Sequence, residues 1–259
     1  MNEGRVRERA RGRHVQAVPF SPRSVAGLLA GWEAAQLTEL ASGDRVAVWR
    51  DLSGAGRDAT QVEVNRRPTF RDAQVAGLPS VYFDGVDDAL VGVSGLAARS
   101  PVTVVVVANV EGTSPHGRTI SLGRFAVGQE LGLGADATGT RLAVSGVGAG
   151  DPATGERATT ASNRGWQVVS LVHVPGGRTE LRRDGGDPLA WTVASDRTPV
   201  DIAGGAPDAP FALGAAVGGT LWPAAVSLAA ALVYGRALDA IERGAIERWL
   251  GARYGVAVT

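Results

Sequence analysis

No cysteine occurs anywhere in the 259 residues, which excludes disulfides, thiolate metal sites and cysteine nucleophiles while leaving the redox compartment open. Lysine is absent as well, so all 26 basic residues are arginine. That usage reads as the mark of a GC-rich genome, although arginine's planar fork also favours bidentate pairs. Neither sign of charge is in excess, with 26 acidic residues against the 26 basic. No whole-molecule field therefore draws the chain to nucleic acid or to an anionic membrane, and sequence-specific nucleic-acid binding is not expected. Long apolar runs are missing too: Val102 to Val110 is strand-sized, far short of a membrane span. Met1 to Phe20 carries arginines but no apolar stretch after them, so it does not read as a secretory signal. The expectation is synthesis in a cytoplasm, with a virion or extracellular location reached after lysis.

What is abundant is turn chemistry. With 36 glycines, 13 prolines and 44% hydrophobic residues, the composition suits many short strands joined by tight turns around a sizeable core. Arg5, Arg7, Arg9, Arg11 and Arg13 alternate with other residues, which predicts a basic N-terminal arm over 1–24 and a globular domain over 25–259. Val46, Val48 and Trp49 mark a strand over Arg45 to Arg50. Val81 to Phe83 and Ala89 to Val93 flank Asp84-Gly85-Val86-Asp87-Asp88, which reads as a hairpin. Thr103 to Ala108 shows no alternation and predicts a strand buried on both faces. Gln167 to Val174 and Thr179 to Arg183 bracket Pro175-Gly176-Gly177 as a second hairpin. One helix is predicted from Leu238, Ile241, Ala245, Ile246, Trp249 and Leu250, with Asp239 as N-cap, Glu242 completing a capping box and Gly251 near its end. Its arginines and glutamates define a wet face.

A family resemblance lies in several stretches in order. Val46-Ala47-Val48-Trp49-Arg50-Asp51-Leu52-Ser53-Gly54 followed by Asp58-Ala59-Thr60-Gln61, then Arg67-Pro68-Thr69-Phe70, Gly77 to Asp88, Trp166 with the hairpin to Asp184-Gly185, and Ala231 to Leu238 with the helix to Tyr254-Gly255 resemble LamG-like jelly-roll domains. The resemblance spans most of Trp32 to Val256. It implies an all-β fold, a concanavalin A-like jelly-roll sandwich of two antiparallel sheets with a C-terminal helix and ligand-binding loops at the rim. One departure is Gly31-Trp32-Glu33-Ala34, where such domains often carry Trp-x-Asp-Ala.

Candidate chemistry follows from side-chain types. Asp84, Asp87 and Asp88 crowd one turn and offer oxygen ligands, so calcium is the candidate cofactor there, against ordinary aspartate turn chemistry. A glycosidase needs two carboxylates across the scissile bond, and the Glu-x-Asp-x-Glu cluster of some sandwich enzymes is missing. Glu180 stands alone, and Glu242 and Glu247 sit on the wet helix face. His14, His116 and His173 are scattered, with His173 reading as a core histidine, and Ser121 and Ser170 lack a nucleophile elbow. Sugar rings pack on flat aromatic faces. Of Trp32, Trp49, Trp166, Trp191, Trp222 and Trp249, the loop-borne Trp191 and Trp222 are the glycan-binding candidates, and Trp49, Trp166 and Trp249 read as core. The expectation is a non-enzymatic module, a phage-type virion accessory protein binding glycans or a host surface. The alternative is an architectural subunit docking on other subunits through its arm, and a glycoside hydrolase is the third class.

Overall fold

The structure is a computed structural model that describes residues 20–95, 101–124, 129–147, 155–175, 177–191, 210–216 and 221–259. Arg5, Arg7, Arg9, Arg11, Arg13 and His14 lie outside the described residues. The elements are β1 (Leu28–Glu33), β2 (Val48–Trp49), β3 (Ala59–Thr60), β4 (Thr69–Val75), β5 (Leu78–Asp84), β6 (Leu90–Val93), β7 (Val102–Val110), β8 (Arg118–Arg124), β9 (Gln129–Ala135), β10 (Arg141–Val147), β11 (Gly155–Ser162), β12 (Gln167–His173), β13 (Thr179–Arg183), β14 (Pro210–Leu213), β15 (Ala225–Tyr234) and α1 (Ala240–Tyr254).

They form a jelly-roll sandwich of two antiparallel sheets with one C-terminal helix. One sheet runs β13-β12-β7-β15-β5-β4, with β1 also paired to β15; the other runs β11-β10-β9-β8-β14-β6-β3-β2. β15 is long enough to serve two partners on one edge, Ala225 to Leu228 for β5 and Ala230 to Tyr234 for β1. Between the sheets lies the main core, where Val104, Val106 and Val233 meet Ile120, Leu122, Leu133 and Phe211. A second core under α1 joins Val105, Val107, Leu232 and Tyr234 to Ile246, Leu250 and Tyr254. β7 is thus covered on both faces, which is why its sequence is a continuous apolar run instead of an alternating one. The β12–β13 hairpin forms in register from Val169 against Arg183 to His173 against Thr179.

Three expectations change. The Asp84 to Asp88 turn is not a hairpin: β5 belongs to the sheet under α1 and β6 to the opposite sheet, so the turn carries the chain across the sandwich. The predicted strand over Arg45 to Arg50 shrinks to Val48–Trp49 plus an isolated bridge from Arg45 to Thr69. In α1 the Asp239 and Glu242 capping box is present, but the left-handed C-cap is Gly255, at φ 63°, and Gly251 lies inside the helix. Ile241 is exposed, whereas Arg243 and Glu247, read as part of the wet face, are buried as an ion pair that Ser170 joins from β12. Among the described residues, no helix is long and apolar enough to cross a membrane.

Candidate functional site

The outer face of the eight-stranded sheet carries the least expected group of side chains. Along β9, Leu131 and Leu133 point into the core, so Glu130 takes the outward position, and it is only 1% exposed. Gly123 of β8 lies opposite it, and further along β8 a bulge between Arg118 and Ile120, facing Gly134 and Leu133, resets the alternation. The bulge lets Arg118 share the outer face with Ser121. Ser121 Oγ donates to Glu130 Oε1 at 2.7 Å, and Arg118 Nε stands 3.6 Å from the same oxygen. Gly132 pairs with Ser121 and puts no side chain between them. Burial raises the Glu130 carboxyl above its ordinary range, and the Arg118 charge and the Ser121 hydrogen bond offset only part of that rise. Glu130 Oε2 has no hydrogen-bond partner among the described residues.

Arg118 connects this carboxylate to the rim. Its guanidinium carbon is 4.7 Å from the centre of the Trp222 ring, within cation–π range. Its backbone N–H donates to the Trp222 carbonyl at 3.0 Å, and its Nη1 donates to the His116 carbonyl. The His116 and Trp222 rings lie 6.4 Å apart. Both residues adopt left-handed backbone, φ 58° at His116 and 47° at Trp222. For residues with bulky side chains such conformations cost about 1–3 kcal/mol and concentrate at functional positions. The half-buried Trp222 ring is therefore a positioned aromatic surface, held by a cation whose own charge is answered by a buried carboxylate.

Trp191, the other aromatic candidate, bridges to Thr159 of β11 and packs against the edge of the main core. Trp32 and Trp49 are fully buried, while Trp166 and Trp249 are half-buried beside the core under α1. His173 is buried, with Nδ1 3.0 Å from Thr179 Oγ1, as a core histidine should be. Arg118 and Glu130 escaped the reading of the sequence. Their signal was a glutamate on the glycine face of an otherwise alternating strand, Gln129 to Ala135.

Asp84, Asp87 and Asp88 do converge, each offering a ligand atom within 4.8 Å of the others. Three of their six oxygens are already committed within the turn. Asp84 Oδ1 accepts from the N–H groups of Val86, Asp87 and Asp88, Asp88 Oδ2 accepts from Asp84 N, and Asp88 Oδ1 meets Arg45 Nη1 at 3.4 Å. Calcium needs roughly six to eight oxygens, so an ion there would share these carboxylates with the turn's N–H groups and the Arg45 guanidinium and draw its remaining ligands from elsewhere.

The same turn sets a pH dependence. Burial, then the Asp84 charge, push the Asp88 carboxyl up to about 6, against the hydrogen bond from Asp84 N and the Arg45 charge. In the unfolded chain it titrates near 3.9. Between those values the folded state binds the extra proton, so this contribution is present below about pH 4 and is lost as pH rises through about 6. Asp88→Asn is expected to flatten that slope, raising stability at pH 7.5 relative to the parent by about 2 kcal/mol and changing little at pH 4. Urea unfolding at the two pH values checks it.

No family model and no curated protein matches the chain. Solved structures do. Domain 4 of a GH43 extracellular arabinanase from Geobacillus stearothermophilus, in complex with arabinotriose, is 15% identical over 85% of this chain and 98% of that one, with a TM-score of 0.55. The binding domain of botulinum neurotoxin DC in complex with SialylT is 8% identical over 89% of this chain and 52% of that one, also at 0.55. Trypanosoma rangeli sialidase with the inhibitor DANA is 18% identical over 90% of this chain, at 0.53. The chain spans only 35% of that sialidase's length. At these identities the likeness is one of fold.

The expectation of a non-enzymatic module is overturned by these neighbours, since the sandwich occurs within a sialidase chain and as a domain of an arabinanase. The physical reason is that catalytic carboxylates need to converge in space, not along one strand. Glu130, buried on a sheet face, is a carboxylate that a search for a single-strand cluster passes over.

Proposed function

We propose that this chain is a carbohydrate-binding sandwich of the LamG-like kind, which receives a glycan against Trp222 at the rim of the eight-stranded sheet. The observation that carries the reading is the Trp222 ring, half-buried in strained backbone and backed by the Arg118 guanidinium at 4.7 Å. A sugar's C–H face packs on such a ring, and the buried Arg118, held by Glu130, fixes the ring from behind. Two neighbouring structures lend support, since the arabinanase domain was solved in complex with arabinotriose and the botulinum binding domain, half of whose length this chain spans, in complex with SialylT. Trp191 is the second aromatic surface in this reading, at the far edge of the same sheet.

Trp222→Ala is expected to lower affinity for the strongest glycan on an array at least tenfold, or about 1.4 kcal/mol. Titration calorimetry on the purified variant reads it; unchanged affinity would remove Trp222 from the site.

A second reading concerns location and assembly. The alternating arginines of Arg5 to Arg13 suit docking on an acidic partner subunit, as in a phage particle that presents the sandwich to host glycans. Removing residues 1–19 tests this and keeps the turn at Pro22–Ser24, which is tied to the sandwich by Tyr234 Oη donating to Pro22 O at 2.9 Å. Size-exclusion mass analysis should show several subunits per particle for the full chain and fewer after truncation; an unchanged subunit number would remove the arm from assembly.

A further inference from the structure

A cavity of about 210 Å³ opens on the opposite side of the molecule, between α1, β1 and the one-turn helix at Pro22–Ser24. Its walls are apolar, from Leu28, Leu52 and Leu232, and Trp249 of α1 adds a half-buried ring. Its charged groups are Glu33, Arg253 and Arg23, and Ser21 and Gln36 add polar side chains. Glu33 is 6% exposed, and its Oε2 accepts from Arg253 Nη2 at 3.0 Å. Its other oxygen, Oε1, has no donor among the described residues. Lining the cavity with no donor of its own, that oxygen is an acceptor for an O–H or N–H of whatever fills the space.

The charges narrow the ligand. Arg23 Nε donates to Leu52 O at 2.6 Å, which leaves its two Nη groups without a partner among the described residues. Two guanidinium groups face one carboxylate, an excess of one positive charge. A cationic amine meets that excess, and a bare inorganic anion meets Glu33 with no donor to give it. A wholly apolar ligand leaves Oε1 unanswered. A single pyranose ring bearing a carboxylate answers the apolar walls and the charged groups together: its C–H face on Trp249 and the leucines, a hydroxyl to Glu33 Oε1, and its carboxylate to the Arg23 Nη groups.

We propose that this cavity is a second carbohydrate subsite, specific for one hexuronate-type acidic sugar unit. It shares no residue with the Trp222 rim, so the two assignments stand or fall separately.

The test follows the indole N–H signals of the six tryptophans in the ¹⁵N-labelled full chain, assigned through Trp249→Phe and Trp222→Phe, during titration with sodium glucuronate and, in parallel, glucose. Glucuronate is expected to shift the Trp249 signal saturably, with affinity at least tenfold above that of glucose. Glu33→Gln and Arg23→Gln should each weaken the response at least tenfold. Arg23 is exposed, so its variant reports on binding even if the buried Glu33 change perturbs folding. A shift confined to Trp222 overturns the subsite and leaves the rim reading intact. An unmoved Trp249 signal, equal response to glucose, or full affinity in Arg23→Gln overturns it as well.

Discussion

Asp51→Ala should destabilise the fold by about 3–4 kcal/mol, because one carboxylate organises the whole turn between β2 and β3. Asp51 Oδ1 accepts from Gly31 N at 3.0 Å and Ser53 N at 2.9 Å, while Oδ2 accepts from Ser53 Oγ at 2.6 Å and Arg57 N at 3.1 Å. Arg57 in turn presents its carbonyl to the buried Trp32 indole at 3.2 Å. Hydrogen bonds to charged acceptors are worth about 1.5–3 kcal/mol each but do not sum when they share one group. Burial alone would raise this carboxyl; the bonds from Ser53, Arg57 and Gly31 outweigh it and hold it below the ordinary aspartate range. Its stabilisation is therefore complete at neutral pH and is lost as the solution is acidified through that depressed value. Asp51→Asn keeps one acceptor and should lose about half as much. Equilibrium urea unfolding at pH 7 reads both variants, and a loss below about 1 kcal/mol for the alanine would contradict the role given to the turn.

The second large effect belongs to the pair under α1. Glu247 and Arg243 are 2% and 6% exposed, with Arg243 Nε 3.4 Å from Glu247 Oε1 and Ser170 Oγ donating to that same oxygen. Glu247→Ala leaves a buried guanidinium uncompensated, and a loss of about 3–5 kcal/mol is expected. Replacing both, Arg243→Met with Glu247→Leu, removes the charge and its partner together and should return stability to within about 1 kcal/mol of the parent. The cycle separates a pair that holds the helix from one that only avoids an unpaired charge. If the double variant falls as far as Glu247→Ala, the helix depends on the polar network itself.

These two sites mark what sequence patterns could and could not reveal. Local patterns were legible: the apolar run of β7, the β12–β13 hairpin and the capping box of Asp239 and Glu242 each follow from a few neighbouring residues. The path of the chain after Asp84 was not. Asp-Gly encodes a tight turn, but whether the next strand pairs back or crosses to the other sheet depends on partners far away, here β14 for β6 and β15 for β5. The helix face was misread for a similar reason. Arg243 and Glu247 look solvated in isolation, and the serine that makes burial tolerable lies 77 residues earlier.

The rim followed the same rule. Trp222 stood out as a loop aromatic, whereas Arg118 reached its face only through a bulge, which no spacing of residues announces. Glu130 was half legible: its alternation with Leu131 and Leu133 predicts an outward side chain, but its burial and its link to Arg118 come from the assembled sheet.

The central claim is that Trp222 receives a saccharide. The most direct measurement is a crystal structure of the chain in complex with the glycan that binds it most strongly on an array. The account predicts a sugar ring stacked on Trp222 with the Arg118 guanidinium still behind the indole; a glycan seated wholly elsewhere, with the Trp222 ring uncontacted, would contradict it.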